Sequence, residues 1–164
     1  MATKPRREDA PKEAGLRSGS RLALGVFLLA LLVRGFYLSD SRDNPTFQTP
    51  VVDSQTYDGL ARRLAAGQPM TSEFFWQPVF YPLFLSVVYW LSHSSILWAK
   101  IIQAILGALT ALLTYRLGQR VFGKAEALVA GLLVAVYMPL VFYEAELLAS
   151  GWATLWMAAL ALLL

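Results

Sequence analysis

The sequence predicts an all-α integral membrane protein, and three observations carry that expectation. The 164-residue chain is 57% hydrophobic and only 15% charged, against roughly 45–50% apolar and about 25% charged in soluble domains. Its charges fall between long apolar runs, several of which approach the ~20 helical residues that cross a hydrocarbon core. Its basic residues gather at the N-terminus and again at Arg116, Arg120 and Lys124, as cytoplasmic flanks of membrane helices do. Mean hydropathy is +0.50. The absence of cysteine excludes disulfides and thiolate metal sites, and a single histidine, His93, excludes a His-rich one. The net charge of +3 needs no nucleic-acid partner.

Residues 1–20 carry Lys4, Arg6, Arg7, Lys12 and Arg17 without apolar periodicity, and read as a disordered basic cytoplasmic tail facing anionic lipid. A cleaved signal peptide fits poorly, because the charged region is long and no small-residue cleavage pattern follows Leu38. Leu22 to Leu38 is the first span. Arg34 interrupts it near the outer end; snorkelling to the interface is the expected behaviour, and a lipid phosphate inside the bundle is the alternative.

An outer loop, residues 39–95, follows. Pro45 and Pro50 discourage helix at its start. Residues 54–66 fit an amphipathic surface helix, with Asp53 or Ser54 as its cap. Tyr57, Leu60, Ala61 and Leu64 share one face, Asp58, Arg62 and Arg63 lie largely off it, and Gly67 is the stop. Residues 79–92 form a second juxtamembrane or re-entrant helix. The clean part, Tyr81 to Ser92, reaches only about 18 Å at 1.5 Å per residue, and its aromatics suit an interface.

The second span is expected at 96–117 and the third at 127–143, with Pro139 kinking its outer end. Glu144 and Glu146 make an acidic turn, and a fourth span begins at Leu147. The run from Leu147 to Leu164 carries no charge and no cap, so the chain is expected to be the N-terminal part of a longer polypeptide with this span cut short. Three full spans plus a truncated fourth result. Charge parity supports this count: both basic segments lie inside only if an even number of spans separates them, so 79–92 does not cross. Asp53 and the Glu144–Glu146 turn then fall on the same outer face. The expected location is the plasma (inner) membrane, with a cytoplasmic N-terminus.

Five segments in order resemble the C-type (GT-C) glycosyltransferases, multi-pass enzymes that use polyprenyl- or dolichyl-phosphate-linked sugars. The branch is that of dolichyl-phosphate-mannose–protein mannosyltransferases and aminoarabinose transferases. The segments are Asp53-Ser-Gln-Thr-Tyr-Asp-Gly-Leu-Ala-Arg-Arg-Leu-Ala-Ala-Gly67, Phe75-Trp-Gln-Pro-Val-Phe-Tyr-Pro, Gln103-Ala-Ile-Leu-Gly-Ala-Leu-Thr, Tyr115-Arg-Leu-Gly-Gln-Arg-Val-Phe-Gly and Phe142-Tyr-Glu-Ala-Glu-Leu-Leu. They cover about residues 20–164. Ser54 departs from the acidic pair usual in relatives, which counts against a metal role there.

The resemblance implies sugar transfer from a lipid phosphate to a hydroxyl, with inversion. A carboxylate removes the hydroxyl proton; Asp53 is the candidate base, and helix capping is its plainer reading. Glu146 is the second acidic candidate with Glu144 behind it, and ordinary membrane-edge acids are the alternative. The leaving phosphate needs cations or donors: Arg62, Arg63 and Lys100, with Gln77 and Tyr81 as hydrogen-bond donors. Solvated arginines and a snorkelling lysine are the plainer readings, and Tyr57 is expected to pack. No metal ligands are assigned, and a divalent cation is left open as a cofactor. The implied partners are a lipid-linked sugar donor, membrane lipids and an unidentified protein or glycolipid acceptor. Rival functions are a transporter or flippase subunit for lipid-linked intermediates, and a non-catalytic membrane subunit.

Overall fold

A computed structural model describes residues 10–164. They are almost wholly helical, with no strand among the described residues. Seven helices follow one another: α1 Ala10–Asp40, α2 Asp53–Ala65, α3 Phe80–Ser92, α4 Ile96–Val121, α5 Lys124–Val136, α6 Met138–Ala145 and α7 Ser150–Leu163. Two stretches are single helices long and apolar enough to cross a membrane, Gly19–Asp43 and Ile96–Val121. The α5–α6 pair passes the same test jointly but is bent by 47°.

Helix α4 is the hub, packing against α1, α3, α5, α6 and α7. Small residues make that packing close. A side chain on Gly118 would meet the Ala127 backbone at 2.8 Å, and one on Gly131 would meet the Tyr115 side chain at 2.9 Å. Such close approach is the usual basis of helix association in lipid, where hydrophobic burial adds little. On α1 the buried stripe is Ala23, Val26, Ala30, Arg34 and Leu38, while Leu24, Leu28, Leu32 and Phe36 are exposed. A buried cluster of Tyr57, Tyr81, Leu85, Tyr89, Ala99 and Leu147 joins the α2–α3 hairpin to α4.

Four expectations need correction. Helix α1 is described from Ala10, inside the segment read as a disordered tail, where Lys12, Glu13 and Ala14 favour helix. The rest of that tail, residues 1–9, lies outside the described residues. Neither Asp53 nor Ser54 caps α2: Val52 is the N-cap, and no side chain bonds to the free N–H groups. The segment expected as the third span is broken at Tyr137 rather than merely kinked, because Pro139 cannot continue the α5 ladder. In the segment expected as the fourth span, helix covers only Ser150–Leu163, 14 residues or about 21 Å. Leu147 is instead held in the buried cluster beside Tyr81, so the helix restarts three residues later than expected.

The helices expected at 54–66 and 79–92 correspond to α2 and α3. Gly67, at φ 75°, ends α2. The N–H groups of Gly67 and Gln68 bond to the carbonyls of Leu64 and Arg63, at 2.9 and 3.0 Å, the paired closure in which a left-handed glycine is favoured. Helix α3 spans 13 residues, about 20 Å, less than a hydrocarbon core.

Candidate functional site

The link from α1 to α2 makes two 3₁₀ turns, Ser41–Asp43 and Pro45–Phe47. Asn44 sets the second: its Oδ1 accepts from the Thr46 backbone N–H at 3.1 Å and the Thr46 hydroxyl at 2.9 Å. This turn buries Phe47 against Lys100 of α4, whose Nζ lies 4.2 Å from the ring centroid. Lys100 is 3% exposed. A cation over an aromatic face is attracted by the ring quadrupole, more strongly when desolvated.

At the far end of the link the chain enters α2 through Val52, at φ 54° and ψ −126°. Positive φ is a true outlier for a β-branched residue, and such strain is typically held at functional sites by surrounding structure. The next residue is Asp53. Its carboxylate is exposed at the first turn of α2, and Oδ1 accepts from Gln77 Nε2 at 3.4 Å.

Glu146 arrives from the other side of the sequence. It follows α6 in an extended conformation, φ −83° and ψ 156°. Its backbone is held by Gln103 of α4, whose Nε2 donates to the carbonyls of Glu144 at 3.0 Å and Glu146 at 2.8 Å. Gln103 is oriented in turn by Tyr81, whose hydroxyl donates to Oε1 at 2.8 Å.

These elements enclose one pocket of about 400 Å³. Asp53, Glu146 and Lys100 all line it, with Tyr37, Phe47 and Tyr143 as aromatic walls. Two carboxylates nearly a hundred residues apart in sequence thus share a cavity with a buried ammonium. Such a set supplies a proton acceptor, a cation for a negative group and flat apolar faces for a ligand ring or chain. Among the described residues no group of three His, Cys, Asp or Glu side chains is arranged to hold a metal ion.

The other nominated residues sit elsewhere. Gln77 touches Asp53 but does not line the pocket, and Tyr81 is buried behind it on Gln103. Glu144 is buried inside the bundle and pairs with Arg34, Nε to Oε2 at 2.7 Å. Arg34 therefore does not snorkel. Arg62 and Arg63 are half-buried on α2 away from the pocket. Arg62 Nε donates to Asp58 Oδ2 at 2.8 Å, and its guanidinium covers the Tyr89 ring at 5.0 Å. The hydrogen bond to Asp58 is the main reason its pKa is raised. Tyr57 packs edge-on against Tyr81 at 4.9 Å, and burial, then the charge of Asp53, pushes its hydroxyl pKa up. Sequence reasoning gave no role to Gln103, Phe47 or the strained Val52, and offered Arg34 only snorkelling or a lipid phosphate; only Gln103 stood in a segment already singled out.

Comparison of the chain with protein-family models, with curated proteins and with solved structures finds no match.

Proposed function

We propose that this helical unit belongs to a glycosyltransferase that moves a sugar from a polyprenyl- or dolichyl-phosphate carrier to a hydroxyl acceptor at the outer membrane face. The observation that carries this reading is the convergence of Asp53, Glu146 and Lys100 on one aromatic-walled pocket, beside helices long and apolar enough to meet a lipid carrier. In this reading Asp53 accepts the acceptor's proton as its oxygen attacks the anomeric carbon. The electron pair of the breaking bond leaves on the lipid phosphate, whose charge Lys100 balances. Glu146 orients the acceptor by accepting its hydrogen bonds. Arg62 and Arg63 are left out of donor binding, since they lie away from the pocket.

The topology proposed with this function has α1 and α4 as full spans, α5–α6 as one broken span and α7 as the start of a fourth. The α2–α3 hairpin lies at the outer surface, and the N-terminus is cytoplasmic in the plasma (inner) membrane. The charge parity of the two basic segments supports it. So does the pocket itself, which joins the link after α1 to the end of α6, two positions that share an outer face only if α3 does not cross.

The test is to supply the full-length protein in vesicles with radiolabelled polyprenyl-phosphate mannose, and separately the aminoarabinose donor, and follow the sugar. Label moving from lipid to a hydroxyl acceptor supports transfer. Intact donor moving between leaflets without loss of its sugar would instead assign a flippase.

A further inference from the structure

The break between α5 and α6 has a specific chemistry. In an unbroken helix the N–H of residue 139 would bond to the carbonyl of Ala135, but Pro139 has no N–H. Past the break, the N–H groups of Leu140 and Val141 both turn to the Tyr137 carbonyl, at 3.0 and 3.2 Å. The Ala135 carbonyl is left without its helical donor, in a buried position. Arg34 of α1 supplies one: Nη1 donates to the Ala135 carbonyl at 3.2 Å, and also to the Ala30 carbonyl of its own helix at 3.2 Å. The same guanidinium reaches across the break, with Nε on the Glu144 carboxylate of α6 at 2.7 Å. One side chain thus holds the end of α5 and the body of α6 together, in a forked geometry available to arginine and not to lysine.

The surroundings are shaped for this pair. Arg34 and Glu144 are 2% and 1% exposed. Gly107 of α4 faces them, and a side chain there would overlap both the carboxylate and the guanidinium. Glu144 lies two residues before Glu146, and Gln103 brackets the carbonyls of both. The direction in which α6 leaves the break therefore decides where Glu146 stands.

We infer that Arg34 is a positioning residue that splints the α5–α6 break and thereby holds Glu146 in the wall of the pocket. Glu144 is its counter-charge rather than a second acid of the site. This deepens the reading of the pocket as a transfer site, and its test reads geometry, so the two can fail separately.

The chain has no cysteine, so nitroxide labels can be placed at Ala125→Cys on α5 and Tyr143→Cys on α6, both exposed. In a straight helix these positions would be about 27 Å apart at 1.5 Å per residue, and the bend shortens that separation. Dipolar spectroscopy in nanodiscs would compare the parent with Arg34→Gln, Arg34→Lys and the double variant Arg34→Met/Glu144→Leu. The last removes both charges and keeps the protein foldable if a lone buried charge does not. A narrow distance distribution is expected in the parent. It should broaden and shift in Arg34→Gln and in the double variant, and recover only in part with lysine. Full recovery with lysine, or a parent-like distribution in the folded double variant, overturns the inference. Transfer is read separately on the unlabelled full-length protein, since Tyr143 lines the pocket: no sugar transfer there, with a narrow distribution in the labelled parent, would sink the proposed function and leave the splint standing.

Discussion

Gln103 holds Glu146 by its backbone: the amide Nε2 donates at 2.8 Å to the Glu146 carbonyl and at 3.0 Å to that of Glu144. The two donors of a single amide group reach carbonyls at the end of α6: that of Glu144 lies where the ladder runs out of N–H groups, and that of Glu146 accepts also from the Leu148 N–H at 2.9 Å. With Arg34 on the Glu144 side chain, the acidic turn is fixed by backbone on one side and by charge on the other. Glu146 is therefore free to present its own carboxylate to the pocket.

Replacing Gln103 by Glu keeps the shape and the acceptor for the Tyr81 hydroxyl but removes both donors when ionised. The Glu146 carbonyl keeps the Leu148 N–H, so one buried carbonyl, that of Glu144, loses its donor, and Gln103→Glu is expected to lose about 1–3 kcal/mol. The check is a thermal unfolding midpoint in detergent. A midpoint equal to the parent's would mean that the bracket carries no energy.

Gly107 and Gly59 make a contrasting pair. A side chain at Gly107 overlaps Glu144 and Arg34, whereas nothing lies within 4 Å of one at Gly59. Gly107→Ala should destabilise by about 1–3 kcal/mol through overpacking. Gly59→Ala, inside α2, should stabilise by up to about 1 kcal/mol through helix propensity. Unfolding midpoints that move in the same direction for both would contradict the packing described around Gly107.

Val52 should be improvable for stability. Its backbone at φ 54° stores about 1–3 kcal/mol, while glycine costs roughly 0.5–1 kcal/mol in chain entropy. Val52→Gly is therefore expected to raise stability by about 1 kcal/mol, and to lower transfer by loosening Asp53. A fall in the unfolding midpoint would show that Val52 is held without strain.

The α2–α3 hairpin carries a pH signature. The Tyr89 hydroxyl donates to Asp58 Oδ1 at 2.5 Å. Burial first, and that hydrogen bond second, push the Tyr89 pKa well above the ordinary tyrosine value. An acid whose pKa is raised by folding stabilises the folded state below the unfolded value, and this contribution is lost as pH rises through the folded value. The parent's stability should therefore hold up to about pH 10 and fall above it while the hairpin stays folded, whereas Tyr89→Phe should lack that alkaline loss. Phenolate absorbance measured at about pH 10.5 should be the same in both proteins. One extra phenolate in the parent would rule out the raised pKa.

Much of the architecture was legible because it follows from local rules. Helix α2 stops at Gly67 and α3 stays short, as capping residues and apolar length required, and Pro139 marked the break. The fate of Arg34 was partly legible as well. Arg34 lies four residues from Ala30 and from Leu38, on the face of small residues opposite Leu32 and Phe36, a stripe that turns inward. Reading it as a snorkelling terminal arginine ignored that face. Two features had no local signal. Gln103 looks like any polar residue in a span until α6 brings two carbonyls to it, and Leu147 looks like the start of a span until the α2–α3 hairpin covers it. The convergence of Asp53 and Glu146 followed from charge parity, but Lys100 joined them only through the fold of the 3₁₀ link that carries Phe47.

The most direct test of the central claim is the initial rate of sugar transfer by Asp53→Asn, alongside Asp53→Ala, in the same vesicles with the labelled lipid donors. Asp53 is not the N-cap of α2 and, among the described residues, its side chain receives only a long hydrogen bond from Gln77, 3.4 Å, so asparagine should fold as the parent does. Loss of a general base typically costs ~10²–10⁴-fold in rate. The account predicts a fall of that order for both variants, with an unfolding midpoint close to the parent's. Near-parental turnover by Asp53→Asn would contradict it and place the base elsewhere.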